Sequence, residues 1–211
     1  MRYNKIRKMD IADGPGVRVS IFMQGCAFNC PKCFNQETHD FAGGKEFTQN
    51  TINKVLELCD NPNIEGLSIL GGEPMHPKNI EGTKELAKAF KEKYPEKNVW
   101  VWSGYTFEKD LKDKEALKYV DVLVDGQYVD ALHNPTLEWR GSSNQRVINV
   151  PESLKENKTV LRKIPAKENA AMEITRAYVK SILPHRDPEG HKGTFGKVLC
   201  ICGSVGFSGA A

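Results

Sequence analysis

Cys26, Cys30 and Cys33 stand in the spacing C-x3-C-x2-C, on a short loop that follows an apolar run at 17–23. Three thiolates held this closely can ligate three irons of a cubane 4Fe–4S cluster and leave the fourth iron open to a substrate. An electron-carrying ferredoxin needs a fourth cysteine nearby, and the next one is Cys59. The same loop could instead hold zinc, with His39 completing a Cys3His set, or it could carry three reduced thiols without a metal. Spacing alone leaves these readings open. A second feature is Gly71-Gly72-Glu73-Pro74, placed where an apolar run at 66–70 ends. Two glycines let backbone approach a ligand closely, and Glu73 can accept a charged hydrogen bond from an ammonium group. On its own this segment reads as a tight turn.

Strands predicted at 17–23, 66–70, 98–102, 119–124 and 146–150 are β-branched or aromatic and bounded by turn residues. Helices are predicted at 48–58, 80–93 and 107–118. In the first, Ile52, Val55, Leu56 and Cys59 fall at helical spacing, with Thr48 or Asn50 as cap. Strand–helix alternation implies an α/β fold with a mainly parallel sheet of about five strands. That is too few for a closed eight-stranded barrel, so the expectation is a partial (incomplete) β/α barrel or an open curved sheet. In such sheets ligands bind at the carboxyl ends of strands, where Cys26 and Gly71 would both lie.

The 211 residues are 39% hydrophobic and 27% charged, enough to bury a core. Apolar stretches are too short to span a bilayer, and no apolar segment follows the basic start Arg2, Lys5, Arg7 and Lys8. Membrane and secreted readings are set aside in favour of a cytoplasmic one. Residues 1–161 hold 22 Lys and Arg against 23 Asp and Glu, a balance of −1, so the net +3 arises from +4 in 162–211. That excess is dispersed, without interleaved aromatics, and gives no nucleic-acid footprint. The six cysteines, three of them clustered, suit one metal-binding loop rather than a disulfide framework.

The three-cysteine loop followed by Gly-Gly-Glu-Pro resembles the radical S-adenosylmethionine (SAM) superfamily. Further segments narrow the resemblance to the family of anaerobic ribonucleoside-triphosphate reductase activating proteins. They are Asp13-Gly14-Pro15-Gly16, Cys33-Phe34-Asn35, Val101-Trp102-Ser103-Gly104-Tyr105, Leu123-Val124-Asp125-Gly126 and Trp139-Arg140-Gly141-Ser142-Ser143-Asn144-Gln145. The resemblance covers about residues 1–150. It implies that Cys26, Cys30 and Cys33 hold a 4Fe–4S cluster whose open iron chelates SAM, and that Gly71, Gly72, Glu73 and Pro74 meet the methionyl amino group. Reductive cleavage of SAM would then yield a 5′-deoxyadenosyl radical, which takes hydrogen from a backbone glycine of the anaerobic (class III) reductase. An electron donor such as reduced flavodoxin or ferredoxin is implied as a second partner. No protein acid or base is needed at the reacting carbon.

Weaker assignments follow from the same resemblance. Ser103 is a candidate for the SAM carboxylate or ribose, or else a helix cap. Asp125 is a candidate SAM neighbour, or else an Asp-Gly turn cap. Arg140 can pair with a carboxylate of SAM or of the partner, and Trp139 with Arg140 forms a candidate interface. Cys59 reads as core. Many radical SAM loops carry an aromatic just before the third cysteine; this chain has Lys32, which leaves adenine packing unassigned. The runner-up functions are activation of another glycyl-radical enzyme, such as pyruvate formate-lyase, and a Cys3His zinc-binding interaction module.

Composition changes near 151–165. Residues 1–158 read as the activase domain, 159–174 as a linker, and 175–211 as an incomplete α/β fragment. The segments His191-Lys192-Gly193-Thr194-Phe195-Gly196-Lys197 and Gly203-Ser204 resemble the opening of the ribokinase-like NAD(P)H-hydrate dehydratases. The catalytic segments of that family would lie beyond Ala211, so no dehydratase activity is expected.

Overall fold

The structure is a computed structural model that describes residues 1–164, of which Met1–Lys163 form one compact unit. The fragment expected at 175–211 lies outside the described residues. Seven strands form one sheet: β1 (Arg2–Asp10), β2 (Arg18–Met23), β3 (Lys45–Glu46), β4 (Gly66–Gly71), β5 (Asn98–Trp102), β6 (Val122–Asp125) and β7 (Arg146–Asn149). Their order is β3-β1-β2-β4-β5-β6-β7. The centre, β2-β4-β5-β6, is parallel, as the strand–helix alternation predicts. β1 runs antiparallel to β2 and β3, and β7 antiparallel to β6.

This corrects the expectation of about five mainly parallel strands. The run at 146–150 supplies β7, which turns back on β6 because the connection contains no crossover helix; a parallel return would need one. β1 is missing from the sequence reading because its charged residues hide the alternation. Lys5 and Arg7 point the same way two residues apart, and both lie over the Phe22 ring, at 4.8 and 4.7 Å from its centroid. Their long stems cover apolar surface while their charges stay near water.

Helices α1 (Gln49–Cys59) and α2 (Ile80–Lys93) fall where the spacing predicts them. Thr48 and Thr51 cap α1 reciprocally, and the helix buries Thr51, Ile52, Val55 and Cys59. α2 buries Thr83, Leu86, Ala87 and Phe90. Both pack with Val19, Ile21, Met23, Leu67, Ile69, Val99 and Val101, the side chains of alternate positions on the central strands. The expected helix at 107–118 is instead two short pieces, a π-helical turn at Phe107–Leu111 and a 3-10 turn at Glu115–Tyr119. The Asp110 carboxylate accepts from the Thr106 N–H and hydroxyl, which anchors the first piece, and the polar run 112–114 separates it from the second. A last helix, α3 (Val150–Glu156), starts on Asn149, whose side chain accepts from the Glu152 N–H, and ends at Asn157 in the left-handed region.

The opposite sheet face buries Arg18, Phe22 and Trp100. Among the described residues no carboxylate pairs with Arg18. Its Nε donates to Ser68 Oγ at 2.7 Å, and its terminal nitrogens donate to the Leu67, Pro15 and Asn98 carbonyls. Ser68 Oγ in turn donates to the Asp13 carbonyl at 2.6 Å, so this buried guanidinium fastens the 13–16 loop to β4 and β5.

Compact structure also runs past the boundary expected after Lys158. Asn149 N–H donates to the Val160 carbonyl, Leu161 bridges Ile148, and Arg162 N–H donates to the Val147 carbonyl. Residues 160–162 therefore cover the outer edge of β7. Strand order still leaves β3 unpaired with β7, so no closed barrel forms among the described residues.

Candidate cluster and cosubstrate site

Chain direction decides where the motifs meet. β2, β4, β5 and β6 are parallel, so the residues following Met23, Gly71, Trp102 and Asp125 all emerge at one end of the sheet. The cysteine loop follows the first, Gly72-Glu73-Pro74 the second, Ser103 the third and Gly126 the fourth.

The cysteine loop is tied to the glycine turn through its base. Glu73 N–H donates to the Gly25 carbonyl at 2.9 Å, and Gly72 N–H donates to the Met23 carbonyl at 2.9 Å. Gly72 must lack a side chain, because a Cβ there would sit 2.6 Å from the Gly25 oxygen. Gly71 has φ +100°, and a Cβ would meet the Phe22 backbone at 2.7 Å. Asn79 stands at the N-cap position of α2 but makes no side-chain capping bond there. Its buried amide instead donates to the Gln24, Gly25 and Glu73 carbonyls, joining loop and turn. Sequence reasoning missed this residue, since nothing local distinguishes it from a capping asparagine.

Within the loop, Asn29 and Lys32 both adopt the left-handed region, at φ 46° and 55°, just before Cys30 and Cys33. Such conformations are uncommon for non-glycine residues and concentrate at functional sites. The three cysteines are free and partly exposed, whereas Cys59 is buried in the core as expected. Burial pushes the Cys26 thiol up to about 11 and raises that of Cys33. Without a metal to favour thiolate they stay protonated, so loading a cluster releases protons. Cys33 Sγ accepts from the Asn35 N–H at 3.4 Å, an orienting contact of the kind that tunes metal-bound sulfur.

Among the described residues, no three His, Cys, Asp or Glu side chains are gathered tightly enough to hold a single ion. His39 meets the loop through its carbonyl, which accepts from Cys26 N–H, while its buried Nε2 has no hydrogen-bond partner among the described residues. A cubane spreads its thiolates farther apart than one zinc ion does, so a free, partly open three-cysteine loop suits the cluster.

Glu73 is buried and its carboxylate is already engaged. It accepts from Met75 N–H at 2.8 Å, Ser103 Oγ at 2.8 Å and Gly104 N–H at 2.7 Å. Burial pushes its pKa up to about 7 against the pull of these three bonds. Ser103 Oγ also accepts from Tyr105 N–H, so this hydroxyl locks the end of β5 onto the glycine turn and does not cap Phe107–Leu111.

Asp125 is 1% exposed. It accepts from Phe107 N–H at 2.8 Å and from two nitrogens of Arg146, at 2.9 and 2.5 Å. Arg146 makes a second fork onto Glu108, at 2.8 and 2.7 Å. The guanidinium beside Glu108 draws that carboxyl down to about 2. These residues belong to an open cleft of about 510 Å³, lined also by Thr106, Lys109, Gly126, Gln127, Val129 and Asn144.

Lys32 points away from an adenine-packing role and pairs with Asp130 at 2.9 Å. Phe34 is 91% exposed. Phe28 is the aromatic of the loop that reaches the strand ends, edge-on to Tyr105 at 5.0 Å. Trp139 packs on buried Trp100, with centroids 5.0 Å apart, and its carbonyl accepts from Trp102 Nε1. Arg140 donates to the Gln145 carbonyl, and its buried Nε finds no partner among the described residues. Arg140 does not line the cleft.

Comparison with known proteins defines the class first: a family model described as "4Fe-4S single cluster domain" matches residues 12–148. The chain is similar to curated proteins named anaerobic ribonucleoside-triphosphate reductase-activating protein. With that of Enterobacteria phage T4 it shares 42% identity over 147 residues, covering 70% of this chain and 93% of the relative. For Vibrio cholerae the figures are 39% over 148 residues, 69% and 96%; for Escherichia coli K12 they are 35% over 150 residues, 70% and 97%. The chain belongs to the family of anaerobic ribonucleoside-triphosphate reductase-activating proteins.

Proposed function

We propose that the chain is a radical SAM activase that installs a glycyl radical on anaerobic ribonucleoside-triphosphate reductase, on an incomplete β/α barrel. The observation that carries this reading is the junction of loop and turn. The Gly25 carbonyl, one residue before Cys26, accepts from Glu73 N–H and from Asn79, which fixes the cysteines against the glycine turn. Cys26, Cys30 and Cys33 would hold three irons. The turn Gly71, Gly72, Glu73 and Pro74 would receive the methionyl ammonium, with the Glu73 carboxylate holding the turn in shape. The cleft beside Asp125 is of a volume that suits a nucleoside-sized ligand. Arg140, one of whose terminal nitrogens is spent on the Gln145 carbonyl, is assigned to a carboxylate of SAM or of the reductase on the family resemblance alone.

When bound, the cluster would supply the single electron that reductive cleavage of SAM requires, and the protein would hold SAM and the target glycine in place for that chemistry. The protein's residues position and shield. No side chain has to move a proton at the reacting carbon. Among the described residues no helix is long and apolar enough to cross a membrane.

The test is anaerobic. Reconstituted protein, SAM and a one-electron donor such as reduced flavodoxin or ferredoxin should yield a glycyl-radical doublet on the class III reductase by electron paramagnetic resonance. Pyruvate formate-lyase should give none, because hydrogen transfer needs the glycine held within contact distance by a specific docking surface. A doublet on pyruvate formate-lyase alone would assign the chain to that enzyme instead.

A further inference from the structure

We infer that Arg146 is the positioning residue of the SAM cleft: it sets the cleft's shape by clamping Asp125 and Glu108 together. The inference rests on the radical SAM reading above. Three segments line the cleft: the turn carrying Thr106, Glu108 and Lys109, the stretch from Asp125 at the end of β6 to Val129, and the approach to β7 at Asn144 with its first residue Arg146. One guanidinium joins all three. From β7 it makes four N–H···O bonds, two to Asp125 and two to Glu108. An arginine has five such donors, so nearly its whole capacity is spent on holding these walls at a set separation.

The arrangement is specific to arginine. Asp125 is buried and the Arg146 and Glu108 side chains are one third and about half exposed, so the fork spans from the interior to the open side of the cleft. A lysine could neutralise one carboxylate but could not meet two at once in this planar geometry. On the outer side, Glu108 also accepts from the Thr159 hydroxyl, which ties the clamp to the segment covering β7. A cleft that keeps its shape before the ligand arrives spares the ordering cost of binding. The role therefore shows in affinity, not in the chemical step.

The experiment uses the full chain with its cluster reconstituted. Arg146→Ala and Arg146→Lys are compared with wild type for iron content, circular dichroism and equilibrium SAM binding by calorimetry, followed by kcat and KM for SAM cleavage. Expected is a dissociation constant raised about tenfold in Arg146→Ala, from the loss of charge-assisted bonds. Arg146→Lys should recover part of the loss, with iron content and kcat at saturating SAM near wild type. A folded Arg146→Ala protein that binds SAM within twofold of wild type overturns the inference, as does a fall confined to kcat. If Arg146→Ala does not fold, Glu108→Ala removes one side of the clamp while Asp125 stays paired. It should weaken SAM binding severalfold, and unchanged binding there again overturns the inference. Wild-type protein that carries a full cluster yet binds no SAM would sink the radical SAM reading and this inference together. Wild-type binding with indifferent variants would sink the inference alone.

Discussion

At Glu73, burial and hydrogen bonding pull one carboxyl in opposite directions, and burial prevails: the pKa rises from 4.5 to about 7. An acid with a raised folded pKa keeps its proton in the native state while the unfolded chain has already lost it. Stability therefore falls as pH rises from about 4.5 to about 7, by on the order of 3 kcal/mol if no other group compensates. Urea unfolding at the two ends of this range should show that loss in wild type and a flatter profile in Glu73→Gln. Equal slopes would mean that the three donors keep Glu73 ionised throughout. The cysteines divide at the same scale. Cys26→Ala, Cys30→Ala or Cys33→Ala should each abolish the reconstituted 4Fe–4S absorbance. Cys59→Ala should retain it and cost about 1 kcal/mol of packing, since Cys59, the last residue of α1, is buried in the core. Loss of the cluster in Cys59→Ala would overturn the three-ligand assignment.

Individual elements matter here for where their ends lie. The parallel run β2-β4-β5-β6 delivers four chain segments to one edge, and close backbone approach between the first two needs glycine. Gly72→Ala would place its Cβ 2.6 Å from the Gly25 oxygen and 3.0 Å from the Gly25 carbon, both backbone atoms that cannot swing aside. The variant should lose about 1–3 kcal/mol of stability through overpacking. More telling is iron content after reconstitution, which should drop because the displaced atoms immediately precede Cys26. Full cluster loading in Gly72→Ala would show that loop and turn are not coupled. Helix spacing located α1 and α2 well, since their apolar stripes recur over several turns. It failed at 107–118, where Asp110 and Asp125 capture the N–H groups of Thr106 and Phe107 and the polar residues after Leu111 interrupt the stripe.

Over the whole molecule, the compact unit closes at Lys163 and not at Lys158. Several hydrogen bonds hang on the intervening residues, among them Asn149 N–H to the Val160 carbonyl, Arg162 N–H to the Val147 carbonyl, and Val160 N–H to Ser153 Oγ. The Arg162 guanidinium also lies 5.4 Å from the centroid of the Trp100 ring. A chain truncated after Lys163 should melt cooperatively and load its cluster. Truncation after Lys158 should cost roughly 2–4 kcal/mol relative to it, at about 1 kcal/mol for each bond, and lower Tm by several degrees. Equal melting temperatures would show that the edge pairing adds nothing.

What the sequence by itself determined are the features carried by residue type at short range: the cysteine triplet, the glycine turn, the α1 and α2 stripes and the core strands. The family resemblance rests on the same local segments. Only the tertiary structure decided which long-range partners each polar group takes. Asp125 and Glu108 are 17 positions apart and converge on Arg146, which no periodicity marks. Ser103 meets Glu73 across two strands, and Asn79 turns its amide from its own helix to the cysteine loop. Lys5 and Arg7 look like a solvated basic start until β1 lays them over Phe22. The physical reason is common to these cases. A buried polar group must find partners, and in a parallel sheet the strand ends that supply them come from distant parts of the chain.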